Sequence, residues 1–253
     1  MKAKFNYFSL FALLIAAVLA AVGCQSSHQS CSSQSGCPLA GAAAVSAVQT
    51  RDSQAAMTPA AALAELKAGN ARFVAGRPLH RDFPAQVKAT AGGQYPFAVV
   101  LSCLDSRQPG EIVFDQGVGD IFSARVAGNV LDDDILGSLE FACKVSGAKL
   151  IAVIGHSNCG AIKGAVDDVE LGNLTGLLAK IKPAIDAVPA AVQPRTTKNY
   201  EFVNAVSEAN VKLVLQQIRE RSPILRELLD QGKIGMVGGM YDLSTGLVEF
   251  YDK

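Results

Sequence analysis

Two short, unbroken apolar runs constrain this chain more than any other feature. They are Pro96-Phe-Ala-Val-Val-Leu-Ser102 and Lys149-Leu-Ile-Ala-Val-Ile-Gly155. Without polar alternation, such a run reads as a strand covered on both faces, which is the habit of parallel sheets flanked by helices. Asp120-Ile-Phe-Ser-Ala-Arg-Val126 reads as a further strand. Between these strands, Leu131 to Val145 reads as a helix, with Asp132, Asp133 and Asp134 at its positive end. Two more helical stretches are expected at about 173–187 and 198–230. Ile234 to Tyr241 and Leu247 to Tyr251 read as a closing strand pair around the Ser244-Thr-Gly246 turn. Strands alternating with helices give an α/β fold: a mostly parallel β-sheet flanked by helices. Ahead of it, Thr58-Pro59 opens a helical arm whose apolar stripe is Leu63, Leu66, Ala71, Phe73 and Val74, with a break expected at Gly69.

The N-terminal part has a different composition. Lys2 and Lys4 precede an apolar run from Phe8 to Val22. At about fifteen residues it is shorter than the roughly 20 a membrane-spanning helix needs, and it has the layout of a secretory signal. It ends in Ala21-Val22-Gly23-Cys24, which resembles the lipobox of bacterial lipoproteins. Residues 1–24 are therefore read as a signal segment, with lipidation of Cys24, plain secretion and an uncleaved anchor all compatible. Residues 25–57 are rich in Ser, Gln, Ala and Gly and read as a flexible tether. Cys31 and Cys37 lie in it, either paired in an oxidising envelope or incidental thiols. Residues 58–253 are long enough for one domain with a sizeable core. The expected location is the bacterial cell envelope, in the periplasm, with membrane contact only through a lipid on Cys24 if that residue is lipidated. A formal net charge of zero, with no basic cluster, gives no sign of a nucleic-acid footprint.

Soft metal ligands are scarce. The chain has 3 histidines, His28, His80 and His156. The cysteines of the expected domain are Cys103, Cys143 and Cys159. In open α/β sheets, ligands bind beyond the carboxyl ends of the strands. Cys103 lies just past the end of the first apolar run, and His156 and Cys159 lie just past the end of the second. A His-x-x-Cys spacing at a helix start would place both side chains on one side of the first turn. Two thiolates and an imidazole suit zinc, and three protein ligands leave the open position of a catalytic site. Cys143 falls mid-helix among apolar residues and reads as core. Asp105 and Arg107 follow Cys103. As a surface ion pair they would contribute little. Beside an open zinc position, Asp105 would either coordinate the metal and close it or, held by Arg107 through paired hydrogen bonds, orient bound water. Zinc would supply hydroxide near neutral pH for attack on an electrophilic carbon. Two thiolates donate more charge than imidazoles, so activity should favour higher pH.

At these residues the chain resembles the β-class carbonic anhydrases. The likeness runs from about Thr58 to about Tyr251. It includes Leu66 to Arg77, Ser102-Cys-Leu-Asp-Ser-Arg107, Gly119 to Asn129, and Gly155-His-Ser-Asn-Cys-Gly-Ala161. The resemblance implies reversible hydration of carbon dioxide to bicarbonate and a proton, by attack of zinc-bound hydroxide. It implies one zinc per subunit on Cys103, His156 and Cys159, with Asp105 and Arg107 as the gating pair. It also implies a homo-oligomer, a dimer or a tetramer, in which the helical arm embraces a partner. Gln94 matches a glutamine that meets substrate from across the dimer interface, Phe122 an apolar wall of the carbon dioxide pocket, and Gly160 a backbone amide beside the bound anion. Ala127 and Phe141 replace a valine and a tyrosine of some members. In a bicarbonate-inhibited subgroup a Trp, an Arg and a Tyr bind regulatory bicarbonate. Arg125 and Tyr241 match two of these, but Val100 stands at the tryptophan position, so that inhibition is expected to be absent or weak. A hydrolase of carbonyl sulfide or carbon disulfide on the same fold would share every ligand. A zinc-binding or thiol-based envelope protein is the other alternative, and the lack of a Cys-x-x-Cys pair argues against a redox role.

Overall fold

The structure, a computed structural model, describes residues 47–251. The signal segment, Cys24, Cys31 and Cys37 lie outside them. In chain order the elements are Arg51–Ala56 (α1), Pro59–Val74 (α2), Phe83–Thr90 (α3), Ala98–Ser102 (β1), Gly110–Val113 (α4), Ile121–Arg125 (β2), Asp133–Glu140 (α5), Leu150–His156 (β3), Gly160–Val166 (α6), Gly172–Ala179 (α7), Lys182–Ala187 (α8), Tyr200–Arg221 (α9), Pro223–Asp230 (α10), Gly235–Tyr241 (β4) and Val248–Phe250 (β5).

The strands form one sheet in the order β2-β1-β3-β4-β5. The first four are parallel and β5 returns antiparallel along β4. This is the mostly parallel sheet the apolar runs require. Along β1 and β3 alternate side chains serve opposite faces, as the two-residue period of a strand dictates. Val99, Leu101, Ile151 and Val153 join one core cluster, under α5, α9 and α10. Ala98, Val100, Leu150, Ala152 and Ile154 join another, under α2 and α4. Ile151 and Val153 are wholly shielded from solvent. Each such side chain stabilises the fold by roughly 1.5–3 kcal/mol relative to exposure. Among the described residues, no helix is long and apolar enough to cross a membrane.

Several local expectations change. The tether does not extend to residue 57. Thr50 caps α1, and the buried Gln54 donates to Pro96 O and Ser146 O at 2.7 and 2.8 Å, tying this turn to the domain. The arm helix α2 is continuous through Gly69. Glycine is needed there for close approach, since a Cβ would lie 1.8 Å from Phe114 O. In the single chain α2 packs on its own sheet through Ala62 and Leu66. The stretch 173–187 divides into α7 and α8, because Pro183 in the first turn of α8 has no amide with which to continue a helix. The stretch 198–230 divides at Ser222, whose hydroxyl accepts from Leu225 N at 3.1 Å while Pro223 takes the first helical position. The helix expected to end at Val145 does so through a wider turn over Phe141–Val145.

Candidate metal centre

The chain runs from β1 outward to β2, then crosses back over β1 to β3 on its other side. Strand order therefore reverses direction between β1 and β3, and such a switch point opens a crevice beyond the strand ends. Register fixes what enters it. Ser102 pairs with Ile154, so Cys103 stands level with Gly155 and one residue short of His156. His156 is the last residue of β3, paired with Tyr241 of β4. Cys159 is the N-cap of α6. The expectation that His156 and Cys159 share a helical turn is thus corrected. The strand runs one residue longer, and Ser157-Asn158 forms the bend, with Asn158 in left-handed backbone at φ 55°.

The three side chains nevertheless converge. Their ligand atoms lie within 4.8 Å of one another, and all three residues are buried. Cys103 Sγ and Cys159 Sγ are 3.9 Å apart. That separation is far too long for a disulfide. It matches the ~3.8 Å expected of two thiolates at about 2.3 Å from one tetrahedral zinc. His156 Nδ1 lies 3.0 Å from Ser157 O. A carbonyl can only accept, so Nδ1 carries the proton and Nε2 the lone pair. His156 Nε2 is buried and has no hydrogen-bond partner among the described residues. An unpaired buried nitrogen is costly. Two soft sulfurs and this lone pair fit a zinc ion.

The two thiols are not equivalent. The Cys103 thiol is drawn well below the ordinary range, first by the Cys159 thiol, then by His156 and the amides of Gly128 and Asp105, against the opposing effect of burial. Gly128 N donates to Cys103 Sγ at 3.3 Å. Cys159 is pushed up by the Cys103 sulfur and by burial.

Asp105 stands at the rim, its Oδ2 3.9 Å from His156 Nε2. Arg107 holds it with three donors: Nε and its backbone N to Oδ1, both at 2.9 Å, and Nη2 to Oδ2 at 2.7 Å. The Arg107 guanidinium keeps the Asp105 carboxyl far below the usual carboxylate range. The loop that carries the pair is fastened by its neighbours. Arg125 Nε donates to Cys103 O at 3.0 Å and Nη2 to Asp105 O at 2.5 Å, and Tyr241 OH donates to Arg107 O at 3.3 Å. These donors serve the loop's own carbonyls. Val100 is buried in the sheet core.

The remaining expected residues are more scattered. Phe122 stacks edge-on against Phe141, centroids 6.3 Å apart, in a groove of about 670 Å³ also lined by Val99 and Ala124. Ala127 is half-buried in the turn before Gly128. Gly160 is exposed as the first residue of α6. Gln94 is exposed and precedes β1, at the opposite end of that strand from Cys103. The structure does not bring it to the cluster within one chain. Sequence reasoning missed Gly128 and two α9 asparagines, Asn204 and Asn210. A signal was present, since Asn204 and Asn210 interrupt the apolar series Val203, Val206, Val211 and Val214.

A family model described as carbonic anhydrase matches residues 98–248. Carbonic anhydrase 2 of Mycobacterium tuberculosis is 38% identical over 189 residues, covering 74% of this chain and 90% of that protein. The carbonic anhydrase of Mycolicibacterium smegmatis is 37% identical over 192 residues, covering 76% and 92%. Among solved structures, a β-carbonic anhydrase of Aspergillus fumigatus superposes with a TM-score of 0.61 at 26% identity, over 76% of this chain and 90% of that one. A β-carbonic anhydrase of Sordaria macrospora, described as tetrameric, gives a TM-score of 0.58 at 25% identity, over 67% and 87%. With the same parallel sheet, and with a Cys-Cys-His cluster at its switch point, the chain belongs to the β-class carbonic anhydrases.

Proposed function

We propose that the chain hydrates carbon dioxide reversibly to bicarbonate and a proton, with one zinc ion per chain held by Cys103, His156 and Cys159. The observation that carries this reading is the buried His156 Nε2, without a hydrogen-bond partner among the described residues, beside two sulfurs 3.9 Å apart. Zinc at such a centre supplies Lewis acidity that makes a hydroxide nucleophile available near neutral pH.

The chain's own residues do the rest. Asp105 stays ionised at neutral pH, so it accepts a hydrogen bond from the reacting water. Its depressed pKa makes it a poor proton carrier, and its role is to orient. Arg107 occupies three of the roughly four lone-pair positions of that carboxylate, leaving one toward the cluster. While those bonds hold, Asp105 is not free to swing onto the open metal position. Capping the metal with Asp105 requires breaking them. In this reading the Gly160 amide, next to Cys159 at the start of α6, meets a product anion.

Assembly completes the site in this reading. Gln94 and Cys103 lie beyond opposite ends of β1, a strand of five residues or roughly 17 Å. A Gln94 that contacts substrate is therefore one from a second copy. The surface supports a homo-oligomer, dimer or tetramer: β2 is a sheet edge, and Phe83, Ile112 and Phe141 are half or more exposed beside two grooves of about 640 and 670 Å³. Phe122 and Phe141 would then wall the carbon dioxide pocket. An envelope location with Cys24 as lipid anchor remains part of the proposal. Replacing Cys24 with Ser should release the protein from membranes, and unchanged fractionation would remove the anchor.

The test of the whole is metal analysis of the purified protein together with stopped-flow hydration at about pH 8. One zinc per chain and rapid hydration are expected. Bound zinc without hydration would sink the enzymatic reading. Turnover of carbonyl sulfide or carbon disulfide in place of carbon dioxide would assign a different substrate.

A further inference from the structure

Helix α9 is packed along the sheet and presents an apolar face to it, yet it turns two carboxamides toward the metal cluster. Asn210 is 1% exposed, and its Nδ2 donates to Gly128 O at 2.8 Å. Gly128 N in turn donates to Cys103 Sγ at 3.3 Å. Asn204 lies six residues earlier on the helix, and its Oδ1 accepts from Asn158 N at 3.0 Å. Asn158 is the residue before Cys159. Both restrained residues are in left-handed backbone, Gly128 at φ 66° and Asn158 at φ 55°. For Asn158 that conformation is uncommon and is held by its surroundings, whereas at Gly128 it is one that glycine adopts freely and a side chain would not.

The approach of α9 is itself specified. At Gly155, immediately before His156, a Cβ would lie 2.8 Å from both Val211 Cγ2 and Met240 Sδ, so only glycine lets the helix come this close. At Gly128 a Cβ would lie 2.8 Å from Ile181 Cδ1. Asn210 is buried and Asn204 half-buried; a carboxamide withdrawn from water is costly unless hydrogen-bonded, and neither asparagine spends the bond described here on its own helix. Each spends it on a turn adjoining a metal ligand.

We propose that Asn204 and Asn210 are positioning residues of the metal centre, through which α9 fixes the two left-handed turns that set Cys159 and aim the Gly128 amide at Cys103. The inference rests on the ligand assignment above. Partners outside the ligand set orient the ligands and tune their donor strength. An amide donating to a thiolate withdraws charge from it. Without Asn210 the 127–129 turn is free to shift and Cys103 becomes a more electron-rich donor. Without Asn204 the bend before Cys159 loses its anchor.

The two asparagines use opposite ends of the carboxamide, and this gives a test that general packing would not pass. Asn204 acts through its oxygen, so Asn204→Asp keeps the acceptor. Asn210 acts through its nitrogen, so Asn210→Asp removes the donor and sets an oxygen against Gly128 O. The full chain is substituted with cobalt(II) as wild type, Asn204→Asp, Asn204→Ala, Asn210→Asp and Asn210→Ala, with circular dichroism to check the fold. The readouts are the thiolate-to-cobalt charge-transfer band and the rate of metal loss to a chelator. Asn204→Asp is expected to keep the wild-type band. Both Ala variants and Asn210→Asp should shift it and lose metal about 10–100-fold faster. Wild-type band and metal-loss rate in the folded Ala variants would overturn the proposal. If neither Asn210 variant folds, the Asn204 pair decides: an altered Ala variant beside a wild-type-like Asp variant supports it, and identical behaviour overturns it. A wild-type protein with no thiolate band would remove the ligand assignment, and this inference with it. An intact wild-type band with unaffected variants would remove only the inference.

Discussion

Cys143 and Cys103 are buried to nearly the same depth, 6% and 4% exposed, yet their thiols are driven in opposite directions. Cys143 sits in the wide turn after α5, packed with Leu136, Leu139 and Ile151 in the sheet's apolar cluster. Burial alone acts on it and pushes its thiol up to about 12. Cys103 experiences the same burial, but Cys159, His156 and two backbone amides outweigh it and pull its thiol down. Depth therefore does not make a cysteine a ligand. What does so here is the set of donors that converge where β1 and β3 part, and none of these reaches the turn after α5.

The sharpest way to break this contrast is to remove a ligand. Cys159→Ala should leave the protein folded but nearly free of zinc, and hydration should fall at least as far as the ~100-fold ceiling for partners outside the ligand set. Metal analysis and stopped-flow rates check it. Full zinc occupancy in that variant would show that burial, not the cluster, had been read as a site. The next effect in size separates binding from chemistry. Asp105→Ala should keep one zinc per chain and lose about 10²–10³-fold in hydration, the usual consequence of deleting one preorganised polar group from a reacting centre. A rate close to wild type would take Asp105 out of the mechanism.

Much of this was legible in the sequence because it depended on short-range pattern. The unbroken runs before Cys103 and His156 read as doubly covered strands, and in a parallel sheet the residues after them meet at one edge. Cys143, framed by Phe141, Ala142 and Val145, could be set aside on the same grounds. What was not legible depended on contacts between distant segments. Gln54 holds α1 to the carbonyls of Pro96 and Ser146, so the domain begins before the Thr58 that local composition marked. Gly69 read as a helix break because the Phe114 carbonyl pressed against it is 45 positions away. The Gly128 amide on Cys103, and Asn210 behind it, join segments 25 and 82 residues apart. Periodicity marks which face of an element is buried, but not which backbone group it meets there.

A smaller effect sharpens the contrast at the amide itself. Gly128→Ala forces a side chain into φ 66° backbone and against Ile181 Cδ1. It should cost about 1–3 kcal/mol in urea unfolding and weaken metal retention as well. Ala substitution at the exposed Gly160, where a Cβ meets nothing within 4 Å, is the control for stability. Equal stability for the two variants would mean that the turn at 128 is not restrained as described.

The smallest effect belongs to Cys143, and it is the most discriminating. If burial and partners are separable, Cys143→Ala removes only packing. The loss should be about 1 kcal/mol, the cost of a small vacancy in a core. Zinc content and hydration should match wild type, because Cys143 packs in a different core cluster from Cys103 and Cys159. Cys143→Ser should cost more than Cys143→Ala despite its closer shape, since the side chains of Leu136, Leu139 and Ile151 offer a hydroxyl no hydrogen-bond partner. The order of the two variants in urea unfolding therefore checks the environment, and their unchanged metal content checks the separation. A Ser variant as stable as the Ala variant would mean that Cys143 has a polar neighbour, and the apolar side of the comparison would fail.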